Sequence, residues 1–102
     1  MNEYEMSIFE IIQHAGMGKS YSYEALDALS ENRLEDIKEC FKKADEEFTK
    51  AHEVQTKLIQ SEAAGNKHEV TLLMVHAQDQ LMSAMESRTL IERIIELHKK
   101  EK

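Results

Sequence analysis

Residues 72–82 read LLMVHAQDQLM, the most apolar stretch of a chain that is otherwise acidic and polar. Its apolar side chains point in nearly every direction round a helix, and a helix that is apolar all round is normally buried all round. One imidazole, His76, and one carboxylate, Asp79, interrupt the stretch. Because burying such groups among aliphatic side chains is costly unless partners or ions compensate, we expect these two residues to carry the function.

The rest of the chain is typical of an all-α protein. It contains no proline and only three glycines, and it shows little β-branched alternation. Two of the glycines, Gly16 and Gly18, fall inside the first predicted helix, where each costs about 1 kcal/mol relative to alanine. We therefore expect close packing or a kink at this point.

Three helix starts are signalled by the same pairing. An asparagine that is followed three residues later by glutamate can cap a helix N-terminus. The pairing occurs at Asn2 and Glu5, at Asn32 and Glu35, and at Asn66 and Glu69. It predicts helices over residues 3–30, 33–64 and 67–100.

Short connections join these helices. The dipeptides Glu31-Asn32 and Gly65-Asn66 leave room only for tight turns, and Gly65 suits the left-handed position after a helix end. Such turns make sequential helices antiparallel neighbours. The sequence therefore predicts one domain over residues 1–102, an all-α, antiparallel three-helix bundle with up-down-up topology.

The second helix carries an apolar seam that becomes polar in its second half. The seam residues recur with heptad spacing and are Leu34, Ile37, Phe41, Ala44, Phe48, Ala51, Gln55, Leu58 and Glu62. The charged residues assigned to the solvated face are Lys42, Lys43, Asp45, Glu46 and Glu47. Cys40 lies beside the seam and is interpreted as a small buried residue.

Charge and composition exclude several classes of protein. There are 13 basic and 20 acidic residues, a formal net charge of −7, and no basic stripe, which argues against nucleic acid or an anionic membrane as the partner. The longest aliphatic run, residues 72–75, is far too short to span a membrane. One cysteine excludes an internal disulfide, and the N-terminal residues lack a signal-peptide pattern, so we expect a cytoplasmic protein.

The third helix predicts self-association. A three-helix bundle covers only one broad side of each helix, yet apolar residues surround the helix that contains residues 72–82. Nothing in a chain of 102 residues is left to cover its outer side. We therefore infer a closed cyclic oligomer that forms through helix 3.

Polar residues of helices 2 and 3 are predicted to converge on His76. The tight turn between the two helices places His76 level with Gln55, and it places His52 level with Asp79. Within helix 3, His76, Asp79 and Gln80 share one face. The residues alone leave three interpretations open: a core histidine satisfied by Gln55 or Asp79, a nucleophilic or phosphoryl-carrying histidine, and a His/Asp metal site.

Two other features are assigned no function. The tripeptide Gly18-Lys19-Ser20 resembles the end of a phosphate-binding loop, but that motif needs a preceding strand and a glycine where Gln13 stands. The histidines His14, His68 and His98 are interpreted as ordinary helix or loop residues, because none has the paired spacing of a dedicated zinc site.

Two segments together carry a resemblance to a known family. The first is AHEVQT, residues 51–56, followed by Leu58-Ile59, Glu62-Ala63 and Gly65, and the second is residues 72–82. With His14-Ala15-Gly16 in helix 1, they resemble the enzyme IIA component of the lactose/cellobiose/chitobiose family of the bacterial sugar phosphotransferase system. The resemblance covers essentially the whole chain and depends on both segments at the correct spacing.

The resemblance implies a homotrimer of three-helix chains in which His76 is phosphorylated. His76 would accept a phosphoryl group from phospho-HPr and pass it to a cysteine of enzyme IIB, for uptake of a β-linked disaccharide of the cellobiose or chitobiose type, or of lactose. The membrane would be reached only through the IIC permease. Asp79 from three copies would meet near the trimer axis around a divalent metal ion, and Mg²⁺ is favoured because hard cations prefer oxygen ligands. No organic cofactor is expected.

One departure from the family pattern lies beside the proposed phosphorylation site. Gln80 stands where many members carry a second histidine, so hydrogen bonding is retained and the charge is lost. Gln80, Gln55 and His52 are the predicted supporting residues of His76. An alternative function of another class is a non-catalytic trimeric adaptor or regulatory relative that no longer relays phosphate.

Overall fold

The computed structural model describes residues 1–101 and is all-helical over that range. Its elements are α1 (Glu3–Ser30), a 3₁₀ turn (Leu34–Asp36), α2 (Ile37–Ala63) and α3 (Leu72–Lys100). The predicted helical bundle is confirmed, and it measures 54 × 21 × 20 Å. Among the described residues, no helix combines the length and the apolar character that crossing a membrane requires.

Helix α1 begins with the predicted cap. The Asn2 side chain accepts a hydrogen bond from the Glu5 backbone N–H at 2.8 Å, and the Glu5 carboxylate accepts one from the Asn2 N–H at 3.4 Å. Two free N–H groups of the first turn are thereby satisfied, and two carboxylates in this turn, Glu3 and Glu5, complement the helix dipole.

The second predicted cap is wrong because Asn32 ends α1 instead of starting α2. Its φ is 59°, a left-handed conformation that asparagine tolerates better than most residues. The N–H of Asn32 donates to the Leu29 carbonyl at 3.1 Å, and the N–H of Arg33 donates to the Ala28 carbonyl at 2.7 Å. These two bonds close α1, and α2 begins only at Ile37 after the 3₁₀ turn.

The third predicted cap is wrong for the same reason. Gly65 adopts φ of 98° as expected, and Asn66 donates to the Ser61 carbonyl at 3.0 Å, so Asn66 belongs to the end of α2. Helix α3 starts at Leu72, where the Thr71 hydroxyl accepts a hydrogen bond from the Met74 N–H at 3.1 Å. The connection is therefore longer than the predicted two-residue turn.

Side-chain contacts show the predicted antiparallel order. His14 of α1 faces Glu47 of α2, whereas Tyr21 lies 5.8 Å from the ammonium group of Lys43, so the two helices run in opposite directions. Helix α1 packs against both other helices along most of its length, whereas α2 and α3 touch each other at few places. Helices α2 and α3 are thus held together mainly by their packing against α1.

Two clusters of small and branched residues form the core. The larger one contains Ile8, Ile11, Ala15, Ala44, Phe48, Ala51, Ala77, Leu81 and Ala84. The second contains Ala25, Ala28, Ile37, Cys40, Ile91 and Ile95. The many alanines let the helix axes approach closely. Cys40 is buried as predicted, and desolvation raises the pKa of its thiol, which disfavours a nucleophilic role.

The predicted register between α2 and α3 is wrong by two residues. The Gln55 side-chain amide donates to the Gln78 carbonyl oxygen rather than lying level with His76. Farther along the same pair of helices, the Arg88 guanidinium donates two hydrogen bonds to the Asp45 carboxylate, at 2.8 and 3.0 Å. The later start of α3 lengthens the connection and moves the two helices relative to each other.

Close packing is found at one of the two glycines of α1. A Cβ atom at position 18 would lie 2.7 Å from two ring atoms of Phe48, whereas a Cβ at position 16 would meet no atom within 4 Å. The helix continues through both positions. Gly18 therefore lets α1 approach the Phe48 ring, and Gly16 lies open on the surface.

Substitution of the two glycines should have opposite effects on stability. We expect Gly18→Ala to lower the free energy of unfolding by about 1–3 kcal/mol, because the added methyl group overpacks the Phe48 contact. Gly16→Ala, the matched control, should raise it by up to about 1 kcal/mol through helix propensity alone. Chemical denaturation of the two variants tests this, and a Gly18→Ala protein as stable as Gly16→Ala would contradict the packing.

Candidate functional site

Helix α3 exposes a mainly apolar face, interrupted by Glu86 and Arg93, on the side opposite its core residues. The exposed fraction reaches 85% for Leu72, 69% for Met82 and 63% for Leu97. The apolar members of this outer face are Leu72, Val75, Met82, Leu90, Ile94 and Leu97. Exposed contiguous apolar surface of this kind marks an interaction site in a protein.

Asp79 lies within this outer face, between Val75 and Met82. Its side chain is exposed, and it forms no ion pair or hydrogen bond within residues 1–101. No group of three His, Cys, Asp or Glu residues in that range is arranged to hold a metal ion. A lone carboxylate on an apolar face fits a cation only where other copies of the chain bring further carboxylates to it, and oxygen ligands of this type suit a hard ion such as Mg²⁺.

His76 is exposed at the edge of the outer face. It lies in the second turn of α3 and forms no side-chain hydrogen bond within the described residues. The interpretation of His76 as a core histidine satisfied by Gln55 or Asp79 is therefore wrong. The expected burial of His76 and Asp79 is also wrong for one chain, because Leu72, Val75 and Met82 point outwards with them.

Gln80 follows His76 by one helical turn, on the side towards α1. It is half-buried, and its side-chain carbonyl oxygen is buried without a hydrogen-bond partner in the described part of the chain. A buried acceptor left unpaired costs about 1–3 kcal/mol. Gln80 is thus the one predicted supporting residue that the structure places near His76.

The other two predicted supporting residues lie elsewhere. Gln55 is bonded to Gln78, and residues two apart on a helix point about 200° apart, so Gln55 faces nearly the opposite side of α3 from His76. His52 lines a cavity between α2 and α3 with Met85 and Arg88. Within one chain, neither residue reaches His76.

A buried polar pair was missed by sequence reasoning. Nδ1 of His14 lies 2.7 Å from Oε1 of Glu47, and the exposed fractions of the two side chains are 22% and 10%. Lys50 donates to the other carboxylate oxygen at 3.3 Å. The assignment of Glu47 to the solvated face is therefore wrong.

The position of Glu47 contained a signal for its burial. It lies three residues after Ala44 and four before Ala51, and both of these alanines are fully buried. Spacings of three and four residues place it on the same face of α2. The hydrogen bond with His14 holds the pKa of Glu47 below its ordinary value, although desolvation opposes this.

His68 and Tyr4 join the connection between α2 and α3 to the start of α1. Their rings stack with centroids 4.4 Å apart and an angle of 6° between the planes. The Tyr4 hydroxyl also donates to the Glu69 carbonyl at 2.7 Å. Burial, followed by the nearby Glu62 and Glu69 carboxylates, raises the pKa of Tyr4. This contact positions the segment that leads into α3.

Comparison with known proteins identifies the class of this chain. Residues 6–99 match the model of the family described as PTS system, Lactose/Cellobiose specific IIA subunit. The chain is 49% identical to the lichenan-specific phosphotransferase enzyme IIA component of Bacillus subtilis, over 96% of this chain and 89% of that one. The chain belongs to the lactose/cellobiose-specific IIA family of the sugar phosphotransferase system, and it is a phosphotransferase component.

Solved structures agree with this membership. The cellobiose-specific enzyme IIA of Bacillus anthracis superposes with a TM-score of 0.94 at 39% identity, covering 98% of this chain and 92% of that chain. The IIA(chitobiose) component of Escherichia coli, in its complex with HPr, superposes with a TM-score of 0.83 at 36% identity, covering 98% of this chain and 97% of that chain. Fold and family therefore agree over residues 6–99.

The buried pair should make stability depend on pH. Because the pKa of Glu47 lies below the ordinary value of 4.5, its ionisation stabilises the fold above that pH, and the contribution is lost as the pH falls through the lowered value. We expect Glu47→Gln to lose about 1–3 kcal/mol of unfolding free energy near neutral pH. The difference in unfolding free energy between this variant and the parent should narrow below pH 4.5.

Denaturant titrations at several pH values measure this gap. Glu46→Gln is the matched control, because Glu46 is exposed on the same helix, and it should change stability by less than about 0.5 kcal/mol. If the difference in unfolding free energy between Glu47→Gln and the parent stays constant with pH, the charge of Glu47 contributes nothing to stability.

Proposed function

We propose that the protein relays a phosphoryl group through His76 during uptake of a β-linked disaccharide. Phospho-HPr is the donor and a cysteine of enzyme IIB is the acceptor, both in the cytoplasm. The observation that carries the proposal is the exposed His76 side chain, which has no hydrogen-bond partner within residues 1–101 and is accessible to a macromolecule. The complex of a homologous IIA with HPr supports HPr as the donor.

The relay consists of two balanced displacements. A ring nitrogen of neutral His76 attacks the phosphorus of the donor phosphohistidine, so one N–P bond forms while the donor N–P bond breaks. The IIB cysteine thiolate then attacks the same phosphorus, so that an S–P bond forms while the His76 N–P bond breaks, which returns His76 to its starting state. Phosphoryl transfer requires alignment and charge stabilisation more than covalent assistance, so a small helical scaffold is sufficient.

Gln80 is the proposed supporting residue within the same chain. It lies on the α1 side of His76, one turn along α3, where its amide N–H can donate to a phosphoryl oxygen. Its side-chain carbonyl oxygen is buried and has no hydrogen-bond partner among the described residues, so no internal hydrogen bond through this oxygen holds the amide away from His76. Gln55 and His52 support the site only from a neighbouring copy, because neither reaches His76 within one chain.

The outer face of α3 supports a trimer. A threefold axis beside this face would bury Leu72, Val75 and Met82 against their counterparts, and it would bring three Asp79 carboxylates together. Three such carboxylates repel one another strongly. A divalent cation, with Mg²⁺ favoured, would supply the compensating charge and would hold the trimer without taking part in the transfer.

The second candidate function is the trimeric adaptor that no longer relays phosphate. The replacement of the family's second histidine by Gln80 favours it, since one ionisable group is lost beside His76. The exposed His76 favours the relay, because an adaptor has no need of an accessible imidazole at this place.

Phosphorylation should depend on His76 alone among the histidines. Incubation with phosphoenolpyruvate, enzyme I and HPr should add one acid-labile phosphoryl group per chain, and His76→Gln should abolish it. His98→Gln is the matched control and should be labelled like the parent. A His76→Gln protein that is labelled as well as the parent would show that the site is assigned to the wrong residue.

Removal of the Asp79 carboxylates from the proposed threefold axis should release the metal ion and keep the trimer. We expect the parent to retain one divalent ion per three chains after dialysis, and Asp79→Leu to retain none, because leucine extends the apolar contact without charge. Light scattering with metal analysis gives both quantities. Glu39→Leu, on the exposed surface of α2, controls for loss of charge, and stoichiometric metal in Asp79→Leu would refute the axial site.

A further inference from the structure

The Tyr4 side chain of α1 holds the connection between α2 and α3, residues 64–71. The first three residues of the connection donate hydrogen bonds to the end of α2, whereas residues 67–70 are exposed. Among residues 1–101, one hydrogen bond reaches this exposed part, from the Tyr4 hydroxyl to the Glu69 carbonyl at 2.7 Å. The Tyr4 ring also stacks on the ring of His68, with the centroids 4.4 Å apart. Tyr4 thus supplies both a polar and a stacking contact to the same segment.

The surroundings of the connection are loosely packed. Two cavities, of about 400 and 210 Å³, are both lined by Tyr4 and His68. The smaller cavity also reaches Val70 and Met74, so it extends to the first turn of α3. Side chains that line a cavity lack contacts on that side, and segments with few buried contacts open at a low cost in free energy. The order of the connection and of the first turn of α3 therefore depends on the contacts of Tyr4.

The backbone of His76 depends on this first turn, because α3 begins at Leu72 and His76 is its fifth residue. In an α-helix the N–H of a residue bonds to the carbonyl four residues earlier, so the N–H of His76 bonds to the Leu72 carbonyl. The hydrogen bonds from the N–H groups of Met74 and Val75 both end on the cap residue Thr71. Opening of the first turn therefore removes the bond that holds the His76 backbone in the helix.

We propose that Tyr4 is a positioning residue for the phosphoryl relay: it ties the connection to α1, keeps the first turn of α3 formed, and so fixes the backbone of His76. The inference rests on the proposed relay through His76. Transfer from a docked protein requires the ring nitrogen to be aligned with the donor phosphorus, and a misplacement of about 1 Å can lower the rate about a hundredfold. Tyr4 acts through the connection and touches no reacting atom.

Two variants separate the contacts of Tyr4. Tyr4→Phe keeps the ring that stacks on His68 and removes the hydroxyl, whereas Tyr4→Ala removes both contacts. Tyr23→Ala is the matched control, because Tyr23 is an exposed tyrosine of the same helix and lies five helical turns from Tyr4.

Amide hydrogen exchange measures the order of the first turn. The exchange rate of the His76 amide is divided by that of Ile95, a core residue near the other end of α3, because a general loss of stability accelerates both. We expect this ratio to rise by about tenfold or more in Tyr4→Ala, by less in Tyr4→Phe, and to stay unchanged in Tyr23→Ala.

Transfer to His76 is measured with two donors: phospho-HPr, which must be aligned, and phosphoramidate, a small donor that reacts without docking. We expect the rate with phospho-HPr, relative to the rate with phosphoramidate, to fall by about threefold or more in Tyr4→Ala. Tyr4→Phe should recover part of the loss, and Tyr23→Ala should show none. A merely structural role would change both rates in the same proportion.

The two measurements can each overturn the inference. An unchanged exchange ratio in Tyr4→Ala would show that Tyr4 does not order the start of α3. A raised exchange ratio with an unchanged ratio of donor rates would show that this order has no effect on transfer. Both results leave the relay intact if phospho-HPr labels the parent, whereas a parent that neither donor labels would refute the relay and the positioning role together.

Discussion

The apolar outer face of α3 is the constraint on which the rest of the structure depends. One side of the helix must pack on α1, and the core alanines Ala77 and Ala84 are fully covered there. The opposite side keeps large aliphatic residues exposed in a single chain. His76 lies at the border between these two surroundings, where its imidazole is exposed.

Helix α1 makes this arrangement possible by supporting the other two helices. Gly18 lets it approach the Phe48 ring of α2, and the His14–Glu47 pair fixes the same interface with a hydrogen bond of 2.7 Å. Because α2 and α3 meet at few places, α3 is positioned mainly by α1 and by the segment held by Tyr4. The position of α3, and with it that of His76, therefore depends mainly on α1.

Helix number, helix type and the family were predictable from the sequence, whereas the starts of α2 and α3 and the burial of His76, Asp79 and Glu47 were not. Asn2 and Asn32 have the same local pattern, yet asparagine serves equally well as an N-cap and in the left-handed position after a helix, and only tertiary packing decides between the two. Glu47 was misplaced because its partner His14 is 33 residues away. The sequence predicts a buried His76 because apolar neighbours in sequence do not reveal which of them point away from the core of the chain.

The central claim is that the protein passes its phosphoryl group on. The direct test is to phosphorylate the protein, separate it from HPr and enzyme I, and mix it with enzyme IIB. The relay predicts that the label leaves His76 and appears on the IIB cysteine in equal amount. Label that stays on His76, at a IIB concentration sufficient for complex formation, would contradict the relay and favour the adaptor.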